Sequence, residues 1–165
     1  MDYNVIEENG YKYIETHPGK PILLLLHGLF GALSNFKGIL HHFSQKLNVV
    51  VPILPIFELP ITEVSLEGLV KHIKSFVDFK EFYSVDLLGN SLGGHLAILY
   101  ALQYPDEIRS LTLTGSSGLF ESAMGTTFPK RGDYDYIKNK TELTFYDPAM
   151  ADKELVDEVY SIVND

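Results

Sequence analysis

Ser84-Val85-Asp86-Leu87-Leu88-Gly89-Asn90-Ser91-Leu92-Gly93-Gly94-His95-Leu96-Ala97 changes character halfway along. The first half is an apolar run of the kind that lies buried in a sheet, and a helical pattern takes over directly after Ser91. The join is Gly89-Asn90-Ser91-Leu92-Gly93, a Gly-x-Ser-x-Gly pentapeptide. A serine there sits on a very sharp strand-to-helix turn. Side chains at positions 89 and 93 are expected to collide across that turn, so glycine's missing Cβ permits it. The hydroxyl is then presented above the sheet at a helix N-terminus, where backbone N–H groups favour developing negative charge. The pentapeptide alone is a weak signal in a chain with 13 glycines. Its strand–turn–helix context and a second motif upstream strengthen it.

That second motif follows Ile22-Leu23-Leu24-Leu25-Leu26, a run without alternation that predicts a strand buried on both faces, as in a parallel sheet. The strand leads into His27-Gly28-Leu29-Phe30-Gly31. Upstream, residues 3–7 and 11–16 flank Asn9-Gly10, a strong hairpin signal. Downstream, Ser34 is placed to cap a helix with apolar positions Phe36, Ile39, Leu40, Phe43 and Leu47. Asn48 to Leu54 reads as another buried strand, and Leu66, Leu69, Val70, Ile73, Phe76 and Val77 mark the clearest amphipathic helix. The helix after Ser91 is apolar nearly all round, so it is expected to be central and covered. Ile108 to Thr114 is the next strand, broken by Gly115-Ser116-Ser117-Gly118. Strand and helix alternating in this rhythm imply an α/β fold: a mostly parallel sheet with helices on both faces, joined by right-handed crossovers.

Beyond residue 117 the pattern changes. Residues 118–165 carry ten acidic and five basic side chains and seven aromatics, with helices expected near 133–143 and 152–163 and no obvious strand. The expected organisation is therefore residues 1–117 as part of a sheet domain and 118–165 as a helical excursion from it.

Bulk properties narrow the function. A formal charge of −9 argues against nucleic acid as a partner. There is no cysteine, which removes disulfides and thiolate metal sites. No apolar run approaches membrane-spanning length and no signal peptide is visible, so no membrane partner and a cytoplasmic location are expected. No pair of histidines has convincing ligand spacing, and the glycines do not form a dinucleotide fingerprint, so neither metal nor cofactor is expected. Among the histidines, His95 lies one helical turn beyond Ser91 and is read as a polar residue on a packed helix. His41 and His42 are placed on an outer helix, His72 on the polar side of another, and His27 is assigned to holding the shape of its loop.

Taken together, His27-Gly28-Leu29-Phe30-Gly31 after one strand and Gly89-Asn90-Ser91-Leu92-Gly93-Gly94 after another resemble the α/β-hydrolase superfamily. The order of elements matches it over essentially the whole chain. Phe145-Tyr146-Asp147-Pro148 followed by Glu154-Leu155-Val156 is loosely similar to caps of carbon–carbon bond hydrolases acting on meta-cleavage products. The resemblance implies that Ser91 is a nucleophile and that the backbone N–H groups of Leu92 and Leu29 form an oxyanion hole, with Phe30 the second choice for the latter. It implies a small-molecule substrate, a small ester or activated carbonyl compound. It also implies a histidine base and a carboxylate after two later strands, in the order Ser, Asp, His. Neither those strands nor those residues are found in the 165 residues, so the chain resembles an N-terminal portion ending inside the cap and is expected to be inactive alone.

A second class of function stays open beside this one: a non-catalytic ligand-binding protein of hydrolase ancestry. A missing neighbour for strand 108–114 leaves Ile108, Leu111 and Leu113 on an open edge, to which the apolar face of helix 152–163 is expected to add. A homo-oligomer is therefore expected if the protein is truly 165 residues long.

Overall fold

In the computed structural model, Asn9 and Gly10 both take positive φ, 50° and 81°. This is the mirror-image turn whose twist matches the strands it joins. It closes an antiparallel hairpin of β1 (Ile6–Glu8) and β2 (Tyr11–Glu15). The structure describes residues 3–29, 36–56, 65–119, 130 and 132–164, and the chain divides into two units, Met1–Glu121 and Ser122–Asp165.

The first unit is built on β3 (Ile22–Leu26), β4 (Asn48–Pro52), β5 (Val85–Asn90) and β6 (Ile108–Thr114), all parallel. Their order with the hairpin is β1-β2-β4-β3-β5-β6, with β2 antiparallel to β4. β3 and β4 lack alternation because both of their faces are covered, whereas β5 alternates buried and half-buried residues and β6 is mostly exposed. Leu23 and Leu25 face α1 (Lys37–Phe43) and pack with Phe36 and Leu40. Leu24 and Leu26 face the other way, into a cluster with Leu69, Val70, Ile73, Phe76 and Val77 of α2 (Leu66–Phe79) and Leu96, Ala97 and Tyr100 of α3 (Leu92–Gln103). Each such fully buried side chain contributes about 1.5–3 kcal/mol of transfer free energy.

Three local expectations are corrected. Ser34 lies outside the described residues, and the residue that caps α1 is Phe36, with no side-chain hydrogen bond. It is held there by burial instead. Helix α3 is covered along most of its length but not to its end: Leu96, Ala97 and Tyr100 are buried and Ile98 and Leu99 half-buried, whereas Leu102 is 74% exposed. Its apolar composition thus overstates burial only in its last turn. His72 does not sit on a solvated helix face but is half-buried, its ring centroid 5.3 Å from that of Tyr11. The start of α2 also had a readable cap, Ser65, whose hydroxyl accepts from the Gly68 N–H.

In the second unit, α4 (Tyr134–Glu142) and α5 (Lys153–Asn164) pack on each other. Asp133 caps α4 by accepting from the Tyr136 N–H. Ile137, Val156 and Val159 are buried, so the apolar face of α5 is not the open surface that was expected. Its partner is α4. A cleft of about 490 Å³ lined by Tyr134, Lys138, Glu142, Lys153 and Val156 belongs to this unit.

The hairpin is fastened to the sheet by a charged pin. Lys80 Nζ donates to Glu15 Oε2 at 2.7 Å and to the Tyr13 hydroxyl at 3.2 Å, and Asn48 Nδ2 donates to Glu15 Oε1 at 2.7 Å. The Glu15 side chain is only 6% exposed. Burial works against the charge on Lys80, and the hydrogen bonds to Glu15 and Tyr13 outweigh it, holding Lys80 above the ordinary lysine value. Lys80→Met strands a buried carboxylate and is expected to cost about 3 kcal/mol in urea unfolding, part of which Glu15→Gln in the same chain recovers. A loss below about 0.5 kcal/mol, the scale of an ordinary surface substitution, would contradict the pin.

Candidate active site

In open parallel sheets, ligands bind beyond the carboxyl ends of the strands, where the connections switch direction. Here the chain runs from β3 to β4 on one side and reaches β5 on the other. By this rule the place for a ligand is the ends of β3 and β5, which carry the two Gly motifs.

Ser91 stands at the end of β5, exposed, with φ 54° and ψ −120°. A non-glycine residue held in such a conformation costs about 1–3 kcal/mol and persists only where its surroundings over-determine it. They do. A Cβ added at Gly89 would lie 2.4 Å from the Gly93 carbonyl oxygen and 2.6 Å from Gly94 Cα. A Cβ at Gly93 would lie 2.0 Å from the Leu26 carbonyl oxygen and 2.6 Å from that of His27. The expected collision between positions 89 and 93 holds from the side of Gly89, whose Cβ would meet the Gly93 backbone, and is corrected for Gly93, whose own Cβ would meet β3 instead. Gly89 is required by the first turn of α3, but Gly93 is required by the end of β3.

The same closeness brings the two motifs together. A Cβ at Gly28 would sit 3.0 Å from Ser91 Cβ and 3.5 Å from Ser91 Oγ. Leu29 follows directly and, like Leu92, is half-buried against the core. As the first residue of α3, Leu92 has an N–H with no helix carbonyl to receive it. Phe30, the alternative donor, lies outside the described residues.

His27 is 5% exposed and bridges two backbone segments. Its Nε2 accepts from the Leu54 N–H at 2.8 Å, so the ring proton must be on Nδ1, which donates to the Gly28 carbonyl at 2.7 Å. Burial pushes the imidazole below its ordinary value, against the opposing effect of the Gly28 carbonyl, and favours the neutral ring that this bridge needs. His95 ties its N–H to the Ser91 carbonyl at 3.3 Å, and its ring lies beside Gly118. Among the described residues no imidazole is hydrogen-bonded to the Ser91 hydroxyl, and no group of three or more His, Asp or Glu stands together as metal ligands. No helix among them is long and apolar enough to cross a membrane.

The chain belongs to the α/β-hydrolase family: the family profile for the alpha/beta hydrolase fold matches residues 21–144. It is similar to monoacylglycerol lipase ABHD6 of Bos taurus, 29% identical over 132 residues, covering 72% of this chain and 38% of the lipase. It is also similar to 2-hydroxy-6-oxo-2,4-heptadienoate hydrolase of Pseudomonas putida, 30% identical over 108 residues, covering 61% of this chain and 39% of that enzyme. Among solved structures, the α/β hydrolase MGS-MChE2, from the metagenome of lagoon sediments at Mar Chica, Morocco, is 42% identical with a TM-score of 0.66, covering 72% of this chain and 54% of that one. The meta-cleavage product hydrolase CumD of Pseudomonas fluorescens IP01 has a TM-score of 0.77 at 24% identity, covering 98% of this chain and 64% of that one. The chain thus spans about two-fifths of the length of these curated relatives.

The His27 bridge has a pH signature. An imidazole depressed in the fold stays neutral there while the unfolded chain, with a value near about 6.5, takes up the proton first. Its contribution is therefore present above about pH 6.5 and lost as the pH falls below it. His72, also pushed down by burial, adds a loss of the same sign. The fall in melting temperature between pH 7.5 and 5.0 is expected to be smaller in His27→Gln than in the wild type. An equal fall would mean that the bridge does not depend on a neutral ring.

Proposed function

We propose that the protein is a serine hydrolase in which Ser91 is the nucleophile and the N–H groups of Leu92 and Leu29 are the oxyanion donors. One observation carries the proposal: an exposed serine held at φ 54° with its Oγ against Gly28, where the ends of β3 and β5 meet. Ser91 Oγ adds to a substrate carbonyl carbon while its proton passes to a base. The carbonyl oxygen takes the negative charge, and fixed backbone donors stabilise it without reorganising. Collapse expels the leaving group and leaves an acyl-enzyme, which water then hydrolyses. A small ester fits this chemistry, and so does an activated carbonyl compound whose carbon–carbon bond breaks. The relatives include both a monoacylglycerol lipase and a hydrolase named for 2-hydroxy-6-oxo-2,4-heptadienoate.

The base and its carboxylate partner are proposed to come from outside these 165 residues. The absence of any described imidazole bonded to Ser91 supports this, and it is also the observation that favours the second reading, a ligand-binding protein that keeps the pocket without the chemistry. Ser91→Ala in the full-length protein is expected to abolish ester hydrolysis with the melting temperature kept, because the hydroxyl is exposed and holds nothing together. Retained turnover would refute the assignment. The 165-residue chain alone is expected to react with a fluorophosphonate far more slowly than an intact triad does, since removing the base costs on the order of a million-fold in a serine protease. Rapid stoichiometric labelling would contradict that.

The proposed partner surface is the free edge of β6, the last strand of the described sheet. With Leu111 39% exposed there, it is expected to pair with a second copy of the 165-residue chain. Light scattering should show a dimer or larger, and a stable monomer at high concentration would contradict it.

A further inference from the structure

The carbonyl oxygen of Ser91 receives donors from two directions. The N–H groups of Gly94 and His95 reach it from α3, at 3.0 and 3.3 Å. Ser117 reaches it from the turn beyond β6, through its N–H at 3.2 Å and its Oγ at 3.4 Å. The same stretch takes Ser91's own N–H, which donates to the Thr114 carbonyl at 3.1 Å. Both backbone polar groups of the strained residue therefore end on residues 114–117.

Two glycines let that stretch come so close. A Cβ at Gly94 would lie 2.4 Å from Ser116 Oγ and 2.7 Å from Ser116 Cβ. Gly118 has φ 87°, and a Cβ there would lie 2.5 Å from Cδ2 of His95. Ser116 Oγ in turn donates to the Ser117 carbonyl at 2.7 Å. The turn is thus seated on the first turn of α3 at two points.

The geometry points to the turn Gly115-Ser116-Ser117-Gly118 as a clasp that aims the Leu92 oxyanion donor, with Ser117 as the positioning residue. The reason lies in one peptide plane. The Ser91 carbonyl and the Leu92 N–H belong to the same planar unit and point in opposite directions, so holding the oxygen fixes where the hydrogen points. A serine at φ 54° has less strained conformations available, and relaxing into one swings this plane. Ser117 opposes that swing from outside the helix. It touches neither substrate nor reacting atoms in this role and acts through Leu92.

The clasp rests on the assignment of Ser91 as nucleophile, and the test separates the two. In the full-length protein, Gly94→Ala places a methyl against Ser116 and should push the turn off the Ser91 carbonyl. With a fluorophosphonate probe and peptide mapping of the adduct, kinact at Ser91 is expected to fall by at least about tenfold, toward the 10²–10³-fold cost of losing an oxyanion donor, while KI stays within about twofold. In a Ser116→Gly background, which removes the Oγ and Cβ that the methyl meets and leaves only the residue 116 Cα, at 3.1 Å, most of that loss should be recovered, with kinact within about threefold of Ser116→Gly alone. Unchanged kinact in Gly94→Ala, a loss that appears in KI instead, or a loss that Ser116→Gly does not relieve would each overturn the clasp while leaving Ser91 as the nucleophile. A wild-type protein never labelled at Ser91 would overturn the nucleophile assignment and the clasp with it.

Discussion

The contact on which the rest of this structure depends is that between Gly93 and the end of β3. The backbone of α3 runs so close beneath the Leu26 and His27 carbonyls that a single methyl group at position 93 would lie 2.0 Å from an oxygen. This approach forces the chain to turn within one residue, and Ser91 takes up the turn at φ 54°. Everything useful follows from that crowding. The serine hydroxyl is lifted out of the sheet, the Leu92 N–H is left without a helix partner, and Gly28 arrives beside the serine.

The strain is local, but its support is distributed. Leu24 and Leu26 on one face and Leu23 and Leu25 on the other lock β3 between two apolar clusters. The strand end therefore cannot retreat from Gly93 without opening the core. His27 extends the same rigidity into the loop by joining the Gly28 carbonyl to the Leu54 N–H. A buried imidazole suits this position because it offers one donor and one acceptor at fixed separation. The turn after β6 holds the other side of Ser91. A strained residue is thus fixed between three strand ends.

Much of this was legible in the residues because the signals are local. Asn9-Gly10 specifies its hairpin through backbone conformation alone, and the unalternating runs of β3 and β4 announce burial on both faces. The serine pentapeptide between a strand and a helix marks the candidate site. What sequence reading missed depends on neighbours distant along the chain. Gly93 answers to Leu26, 67 residues earlier, rather than to Gly89. Lys80 is paired with Glu15, 65 residues away, and His72 is drawn inward by Tyr11. Composition misled at Leu102, where an apolar residue on an apolar helix is exposed, and at α5, whose apolar stripe finds its cover in α4. Ser117 carries no motif at all, because its part is played by a backbone N–H that every residue but proline has.

The central claim is that the crowded turn makes Ser91 a nucleophile facing prearranged backbone donors. A crystal structure of the full-length protein after reaction with a phosphonate ester tests it most directly. The account predicts phosphorus bonded to Ser91 Oγ, with the phosphoryl oxygen about 2.7–3.1 Å from the backbone nitrogens of both Leu92 and Leu29. An adduct on another residue, or a phosphoryl oxygen turned away from both nitrogens, would contradict it.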